Sequence, residues 1–395
     1  MSFILAKEYP QLAPDIERAL GEAVKIVKRN TAKYGTGDLY PAEPEDDCYI
    51  PVPRCDLRLH FWLNGFWPGQ LWLAYEASGD EELLKIAQKY TEDFYDRVYK
   101  NDNVDWHHDI GFLYTPSCVA DYKLTGSERA HTAAKMAAYS LSRRFRYKGE
   151  FIQCMLSEID EDKKFYKFIV DTMLNLPLLF WATEDTGDMI YRERAQMHLN
   201  TTLKYAMRPD GTTFHHVLMD NHSGEMIRGL TWQGASDDSC WSRGQAWVIC
   251  GLALAYSYMK DERLIGYFEK ATDYFVDHLP ADNIPYWDFI YSDGSGEPRD
   301  SSAAAVAVCG ILEMARHIPA DEHNMRRYID KAADMLRTMI SPEYAVFASE
   351  GKEGLLKHGT TAKPQGISAD SATQFGDYFY LECLVRATRD WKKYW

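Results

Sequence analysis

The stretch WVICGLALAYSYMKDERLIGYFEKATDYFVDHL, residues 247–279, decides the fold. Its first half is apolar nearly all round, and a short polar turn, KDER, comes next. Its second half places apolar residues at i, i+3 and i+4, the period of an amphipathic helix. The turn pairs a helix stop with N-capping residues for the next helix. The stretch therefore predicts a helical hairpin with a buried inner helix and a half-solvated outer helix.

The same pattern recurs along the chain as a repeat of form. Four further copies lie at residues 71–98, 119–145, 178–206 and 305–340. A weaker hairpin, built from Leu12 to Lys33 and the residues directly after Lys33, is expected to supply a sixth pair. Such hairpins can stack openly or close into a ring. Closure is favoured because aromatic and charged segments recur at the hairpin junctions, where a ring would gather them around a pocket. We predict an all-α (α/α)6 barrel over residues 1–395 as a single domain.

Composition narrows the class of protein. The chain has 395 residues, 46% of them hydrophobic, and a formal net charge of -15, which disfavours nucleic acid and membrane surfaces as partners. Only a four-residue apolar run stands near the start, so we expect neither a signal peptide nor a membrane span. The eight cysteines lack CxxC spacing, which favours buried thiols over disulfides or zinc. A cytoplasmic location is predicted.

Aromatic residues concentrate in the junction segments. Six of the 11 tryptophans are found there: Trp67, Trp106, Trp232, Trp241, Trp247 and Trp287. Any single large ring can be core or rim filler, and that alternative stands for each of them. Several rings beside Asp, Arg, Gln and His favour a carbohydrate site.

Six motifs, in order along the chain, carry a family resemblance: NGFWPGQLWLAYEASGD, HHDIGFLYTPSC, IVDTMLNLPLLFWA, QGASDDSCWSRGQAW, DSSAAAVAVCGILEM and GDYFYLE. Together they resemble the unsaturated glucuronyl hydrolases, glycoside hydrolase family 88. The resemblance implies an (α/α)6 barrel without metal or cofactor. It also implies a substrate with a Δ4,5-unsaturated uronyl group at the non-reducing end of a disaccharide or oligosaccharide left by a polysaccharide lyase. The alternatives are an unsaturated rhamnogalacturonyl hydrolase, which shares the fold, and a non-catalytic sugar-binding toroid.

The resemblance assigns the chemistry to two aspartates. In the family mechanism one Asp protonates C4 of the unsaturated sugar and then accepts a proton from the water that adds at C5. Asp171 matches that residue, and its apolar surroundings are expected to bury it and raise its pKa. From the residues alone, an N-cap of the next helix is the alternative. Asp109 matches the second essential Asp, and its charge is expected to help keep Asp171 protonated.

Two pairs of adjacent histidines flank these motifs. His107 and His108, before Asp109, raise the possibility of a metal site. Adjacent side chains are not expected to point to one ion, so we predict no metal. His108 is expected to contact the substrate or orient Asp109, and His107 to be structural. By resemblance His215 is a substrate-site histidine, with His216 as the adjacent alternative.

The segment 231–247 is expected to complete the site. By resemblance Gln233 contacts the substrate, and Arg243 suits the uronate carboxylate because its planar fork fits a carboxylate with two parallel hydrogen bonds. The alternative for Arg243 is a salt bridge to Asp237 or Asp238.

Aromatic walls of the sugar subsites are the remaining expectation. By resemblance Trp241 and Trp247 form them, and Trp67 fits the same wall. The family commonly has another Trp near the position where this chain has Met155, a departure in the surface that stacks on the leaving group.

A further departure concerns sulfate. Family members that prefer sulfated disaccharides tend to have an Arg before the Gln of QG, where this chain has Trp232. They also tend to have a Ser/Lys-bearing loop ahead of GDYFYLE, where this chain has residues 357–368. That loop has small or apolar residues in place of the polar ones: Gly359, Ala362 and Pro364. Lys357 and Lys363 remain. We expect unsulfated substrates to be preferred.

Overall fold

A computed structural model describes residues 3–54, 61–100, 107–154 and 165–395. Helices dominate these ranges: α1 (Leu5–Glu8), α2 (Ala13–Tyr34), α3 (Phe66–Ser78), α4 (Glu81–Tyr99), α5 (Ile110–Tyr114), α6 (Ala120–Thr125), α7 (Glu128–Arg143), α8 (Leu176–Thr186), α9 (Met189–Tyr205), α10 (Ser242–Met259), α11 (Arg263–Asp277), α12 (Ser301–Met314), α13 (Met325–Met339) and α14 (Gln374–Thr388). A π-helical turn, Thr115–Val119, joins α5 to α6.

The helices form two concentric layers. The inner layer is α3, the run from α5 to α6, α8, α10, α12 and α14; the outer layer is α2, α4, α7, α9, α11 and α13. Inner α10 packs on α8 and α12, α12 packs on α14, and α14 packs on α3. Because α3 also packs on the run from α5 to α6, and α5 packs on α8, the inner ring closes. The predicted (α/α)6 barrel is confirmed.

The sixth pair differs from the prediction. Residues 12–33 do not form a hairpin with the residues directly after them, because Ala13–Tyr34 is one uninterrupted amphipathic helix. Its inner partner is α14, which lies at the other end of the chain. The ring therefore closes by pairing a helix near the start of the chain with one near its end.

Three of the short turns between inner and outer helices behave as their residues predict, whereas the N-cap residues of α11 and α13, Glu262 and Asn324, make no side-chain capping hydrogen bond. After α8, Gly187 takes a left-handed conformation with φ 76°, and the Asp188 side chain accepts a hydrogen bond from the Ile190 N–H at 3.0 Å. A glycine in this conformation ends one helix at little steric cost, and the Asp caps the next. The turns after α3 and α6 use the same arrangement.

Burial separates the two layers as predicted. Every residue of α12 is buried, whereas α11 buries one face through Leu264, Phe268 and Phe275. A Cβ atom at Gly310 would lie 2.6 Å from the Cα of Cys250, so α10 and α12 approach this closely only because glycine stands there. No helix in the described ranges has the length and apolarity to cross a membrane.

Within the described ranges, four small antiparallel sheets, which the sequence did not predict, extend from one end of the barrel. Their strands are β1 (Leu39–Glu45) with β2 (Cys48–Pro53), β3 (Phe145–Arg146) with β4 (Phe151–Ile152), β5 (Phe165–Ile169) with β6 (His216–Asp220) and β7 (Met226–Leu230), and β8 (Gly359–Ala362) with β9 (Ile367–Ser371). β5 leads into the turn before α8, and β9 leads into α14. The sheets therefore surround the ends where the inner helices begin.

Candidate active site

The inner helices begin at one end of the barrel, and most of the predicted site residues cluster there. Asp109 directly precedes α5, Trp241 directly precedes α10 and Asp300 directly precedes α12. Asp171 lies in a 3-10 turn, Val170–Leu174, just ahead of α8. Helix N-termini carry a partial positive charge, so this end of the barrel favours an anionic ligand.

Asp171 is a buried carboxyl group that is protonated at neutral pH. Burial, together with a smaller contribution from the nearby charge of Asp109, raises its pKa to about 8, while Arg243 and the Trp247 indole act in the opposite direction. Its Oδ2 has no hydrogen-bond partner among the described residues. The alternative of a helix N-cap is wrong, because α8 begins only at Leu176 and no side chain caps it.

Asp109 is also buried, but its surroundings favour the ionised form. Burial acts to raise its pKa, yet His107, His108 and the amide of Asn175 outweigh that effect, so the pKa of Asp109 lies below its ordinary value. His107 Nδ1 lies 2.5 Å from Oδ2 of Asp109, and His108 Nε2 lies 3.1 Å from Oδ1. Two neighbouring carboxyl groups are thus held in opposite protonation states, as an acid and a charged partner.

The geometric argument against a metal at the two histidines is wrong. His107 and His108 do converge, one on each oxygen of Asp109, and their rings lie 4.5 Å apart. The three side chains offer ligand atoms within 4.8 Å of one another, so they could hold an ion. Burial holds the pKa of His108 well below its ordinary value, which suits either a neutral hydrogen-bonding role or a ligand role. The absence of a metal stays a prediction.

His215 faces Asp171 with a defined tautomer. Its Nδ1 accepts hydrogen bonds from the backbone N–H groups of Trp232 and Gln233, both at 3.2 Å, so the ring proton is on Nε2. That Nε2 lies 3.7 Å from Oδ2 of Asp171 and has no hydrogen-bond partner in the described part of the chain. Burial holds the pKa of His215 well below its ordinary value. The adjacent His216 begins β6 and is also buried.

Arg243 is almost completely buried, and its two terminal nitrogens are already engaged. Nη1 donates to Oδ2 of Asp300 at 2.6 Å and to the carbonyl of Thr360. Nη2 donates to Oε1 of Gln233 and to the carbonyl of Thr361, both at 2.6 Å. The guanidinium of Arg243, which was expected to bind a uronate carboxylate, therefore donates its hydrogen bonds to acceptors within the protein. One of these bonds fixes the side-chain amide of Gln233.

The salt-bridge alternative for Arg243 named the wrong acids. Asp237 pairs with Arg228 instead, at 2.9 Å. The guanidinium of Arg243 lies between two aromatic rings, 4.5 Å from the centroid of Trp241 and 4.5 Å from that of Phe375. Such a sandwich holds the cation in place by cation–π attraction. Arg243 is thus a fixed positive charge beside the site.

The predicted aromatic walls are more buried than expected. Trp247 and Trp241 are 0% and 3% exposed, and Trp241 packs on the His215 ring at 4.3 Å. These two rings are therefore buried packing residues beneath the catalytic side chains and do not form an exposed wall. Trp67 is not brought together with them, because it lies within α3 and packs against Tyr34 of α2. Trp106 and Met155 lie outside the described residues.

Sequence reasoning missed two side chains that help to build the site. Trp62 lies ahead of α3 and stacks on Phe375 at 5.0 Å, which places it beside Arg243. Asn175 accepts a hydrogen bond from the Phe112 N–H at 3.0 Å, and its Nδ2 lies 3.2 Å from the Asp171 carbonyl. For Asn175 the available signal in the sequence was its position as the one Asn in the apolar run after Asp171. Trp62 and Trp67 looked alike in sequence.

Trp232 and the loop 357–368, which lie far apart in the sequence, are neighbours in the structure. Trp232 is 48% exposed, and its carbonyl accepts a hydrogen bond from Nε2 of Gln365 at 2.6 Å. Gly359 and Ala362 are buried in β8, below the tip of this hairpin. An exposed aromatic ring, and not a basic side chain, therefore lies at the rim of the site beside this hairpin.

Both lysines of this loop are paired with acids. Lys363 Nζ lies 2.9 Å from Oε2 of Glu297, and Lys357 Nζ lies 2.8 Å from Oε2 of Glu350. Each lysine is partly exposed, so these pairs are individually weak. They nevertheless direct both ammonium groups toward carboxylates of the protein.

Comparison with known proteins identifies the family of this chain. The model of Glycosyl Hydrolase Family 88 matches residues 51–358. An unsaturated chondroitin disaccharide hydrolase of Streptococcus pyogenes serotype M1 is 41% identical over 381 residues, which are 96% of this chain and 93% of that protein. An unsaturated glucuronyl hydrolase of Bacillus sp. strain GL1 is 37% identical over 380 residues, which are 96% and 98% of the two chains. The crystal structure of unsaturated glucuronyl hydrolase from Streptococcus agalactiae matches with a TM-score of 0.90 at 40% identity, covering 96% of this chain and 94% of that one. The chain with this helical barrel and buried pair of aspartates belongs to glycoside hydrolase family 88.

Proposed function

We propose that the enzyme releases Δ4,5-unsaturated uronic acid from the non-reducing end of lyase-generated disaccharides and oligosaccharides. The reaction is hydration of a vinyl ether, and Asp171 is its general acid and base. The observation that carries the proposal is the pair of unpartnered buried atoms, Oδ2 of Asp171 and Nε2 of His215. Buried polar atoms normally have partners, so two facing ones without any mark the place where a ligand binds.

The chemistry matches the protonation state of Asp171. The C4=C5 bond of the sugar is conjugated to its carboxylate and joined to the ring oxygen, so C4 accepts a proton. Protonated Asp171 gives its proton to C4, and positive charge develops at C5 and the ring oxygen. Water adds at C5, and the Asp171 carboxylate takes the proton that this water loses. The hemiketal opens by breaking the bond from C5 to the ring oxygen, and the resulting hemiacetal at C1 releases the leaving sugar.

Asp109 acts through its charge and its hydrogen-bonding oxygens. Because it stays ionised, it raises the pKa of Asp171 and stabilises the positive charge that develops on the sugar. His107 and His108 hold its two oxygens, and Asn175 links it to the turn that carries Asp171. Neither aspartate needs to attack C1, so this pair differs from the usual retaining or inverting arrangement.

Gln233 and Arg243 form the side of the site that receives the uronate carboxylate. Arg243 holds Oε1 of Gln233, which leaves the Gln233 amide N–H groups to donate to the substrate. The buried guanidinium contributes a fixed positive charge nearby, and the helix N-termini add to it. The carboxylate is thus bound by a positioned amide backed by a cation.

Substrate choice separates this proposal from its nearest alternative. The test compares the loss of double-bond absorbance for an unsaturated glucuronyl–hexosamine disaccharide and for an unsaturated galacturonyl–rhamnose disaccharide. We expect the first to be the better substrate by kcat/KM. A better galacturonyl–rhamnose substrate would instead assign the enzyme to pectin breakdown, and no turnover of either would favour a binding protein.

We also propose that unsulfated disaccharides are preferred over sulfated ones. A sulfate at the rim would meet the Trp232 ring, while Lys357 and Lys363 are directed at Glu350 and Glu297. The sulfate would lose hydration without gaining charged donors. A location in a reducing compartment such as the cytoplasm fits the reduced state of the seven cysteines in the described ranges.

A further inference from the structure

The end of the barrel opposite the site is closed by the residues that come after α14. This closing segment, residues 389–395, lies among the last turns of the inner helices. Lys123 of α6 donates to the carbonyls of Lys393 and Tyr394 at 3.0 and 2.8 Å. The Trp391 indole N–H donates to Oε2 of Glu76 in α3 at 2.9 Å. The segment is therefore anchored to at least two inner helices.

Trp395 extends from this segment into the centre of the barrel. It is 0% exposed, and its indole N–H donates to Oε2 of Glu382 at 2.7 Å. Its ring stacks on Phe379, with centroids 5.8 Å apart and planes at 10°. Its ring also meets the edge of Phe112, at 6.3 Å. The Trp395 indole therefore contacts two inner helices, α14 through Phe379 and α5 through Phe112.

The same two phenylalanines pack directly against Trp247, the aromatic floor of the active site. Phe112 and Phe379 lie 5.2 and 5.4 Å from the Trp247 ring, measured between centroids. Trp247 belongs to α10, which packs on the Val170–Leu174 turn that carries Asp171, and its indole acts to lower the pKa of Asp171. Phe112 also donates its N–H to Asn175, which contacts Asp109. Two phenylalanines and Trp247 thus separate Trp395 from Asp171, while Phe112 and Asn175 separate it from Asp109.

On the side away from the active site, Trp395 borders a surface cavity. A cavity of about 750 Å³ lies at this end, and its lining includes Trp395, Tyr258 and the exposed residues Asp390 and Lys392. The Trp395 indole therefore separates a surface cavity from the aromatic layer. Removing the indole would join that cavity to the space under Phe112 and Trp247.

We infer that Trp395 is a positioning residue, which holds the aromatic floor of the active site in place and keeps water from reaching it from the far end of the barrel. This inference rests on the proposed role of Asp171.

The titratable and charged groups that face Asp171 are Asp109, His215 and Arg243. They belong to the site end, so a change at Trp395 alters the hydration of Asp171 and leaves those charges in place. Water admitted below Trp247 would lower the pKa of Asp171, because burial is the main cause of its elevation.

The experiment measures kcat/KM against pH for Trp395→Ala, Trp395→Phe and Trp391→Ala beside the wild type. Asp171 must be protonated to act, so activity falls as the pH rises through its pKa. We expect Trp395→Ala to move this basic limb to lower pH by about one unit, with Trp395→Phe close to the wild type. Trp391→Ala is the matched control, because Trp391 anchors the same segment and its ring packs on Tyr394 at 4.9 Å. We expect it to lower the melting temperature without moving the limb.

A folded Trp395→Ala enzyme whose limb coincides with that of the wild type would overturn the inference, and so would an equal shift in Trp391→Ala. If Trp395→Ala does not unfold cooperatively, Trp395→Leu keeps apolar bulk in place, and the same displacement of the limb is required of it. Asp171→Asn is measured in parallel. Full activity in that variant would refute the proposed function, whereas its inactivity with an unmoved Trp395 limb would refute only the inference about Trp395.

Discussion

Oδ2 of Asp171 and Nε2 of His215 lie 3.7 Å apart, and neither has a hydrogen-bond partner among the described residues. The histidine is held by two backbone N–H groups on its other nitrogen, so it presents a donor. Asp171 is protonated near neutrality and presents its own proton. This separation is too long for a direct hydrogen bond, so each atom is available to a substrate.

Asp171→Asn is expected to remove nearly all of kcat. The amide has nearly the same shape but cannot deliver the proton, and general acid catalysis is typically worth about 10²- to 10⁴-fold in rate. Substrate binding should remain measurable, because the change removes a transition-state role. Steady-state kinetics together with direct binding by calorimetry would check both halves. Turnover like that of the wild type would disprove the assignment.

The product formed in deuterated water should carry deuterium at C4. The carboxyl proton of Asp171 exchanges with solvent, and the mechanism adds it to that carbon. Mass spectrometry and NMR of the released sugar would locate the label. Conventional hydrolysis, with protonation of the glycosidic oxygen, predicts no label at C4.

The pH dependence should show a basic limb near the pKa of Asp171, about 8. Asp171 is active when protonated, so kcat/KM is full below that pKa and falls above it. Asp109→Asn should be severely impaired, and its residual activity should have the basic limb at lower pH. The reason is that the charge of Asp109 raises the pKa of Asp171. A limb that stays in place or moves to higher pH in Asp109→Asn would contradict the electrostatic coupling.

Chelation should leave the activity unchanged. Although His107, His108 and Asp109 could hold an ion, each oxygen of Asp109 already lies beside an imidazole nitrogen, which orients it without a metal. Assays before and after EDTA treatment and desalting, with elemental analysis of the protein, would check this. Activity that is lost on chelation and restored by a divalent ion would establish a metal site.

Unsulfated disaccharides should exceed matched sulfated ones by about ten- to a hundredfold in kcat/KM. Each charged hydrogen bond that a sulfate at the rim cannot make costs roughly 1.5 to 3 kcal/mol, and about 1.4 kcal/mol corresponds to tenfold. Trp232→Arg should raise activity on the sulfated substrate by supplying a donor at the rim. The measurement compares both enzymes and both substrates at one ionic strength. A wild type that uses the sulfated form equally well, or an Arg variant without any gain on it, would count against the proposal.

The sequence alone determined the repeating unit and the principal residues. Local periodicity is set by neighbours three or four positions apart, so five hairpins, and the capped turns of three of them, could be predicted from the stretch 247–279 and its copies. The motifs around Asp109 and Asp171, through their resemblance to a family, selected the two carboxyl groups that are proposed to be catalytic. The burial of Asp171 could be predicted from its apolar neighbours.

Only the tertiary structure decided which distant residues meet. Arg243 pairs with Asp300 and the β8 carbonyls, at separations of 57 and more positions along the chain. Ring closure joins α2 to α14, and it places Trp62 rather than Trp67 beside the site. These contacts depend on how helices pack around a closed ring, and residue periodicity carries no information about partners so far apart. The opposite protonation states of Asp109 and Asp171 likewise arise from packing, because burial and neighbouring charge act through space.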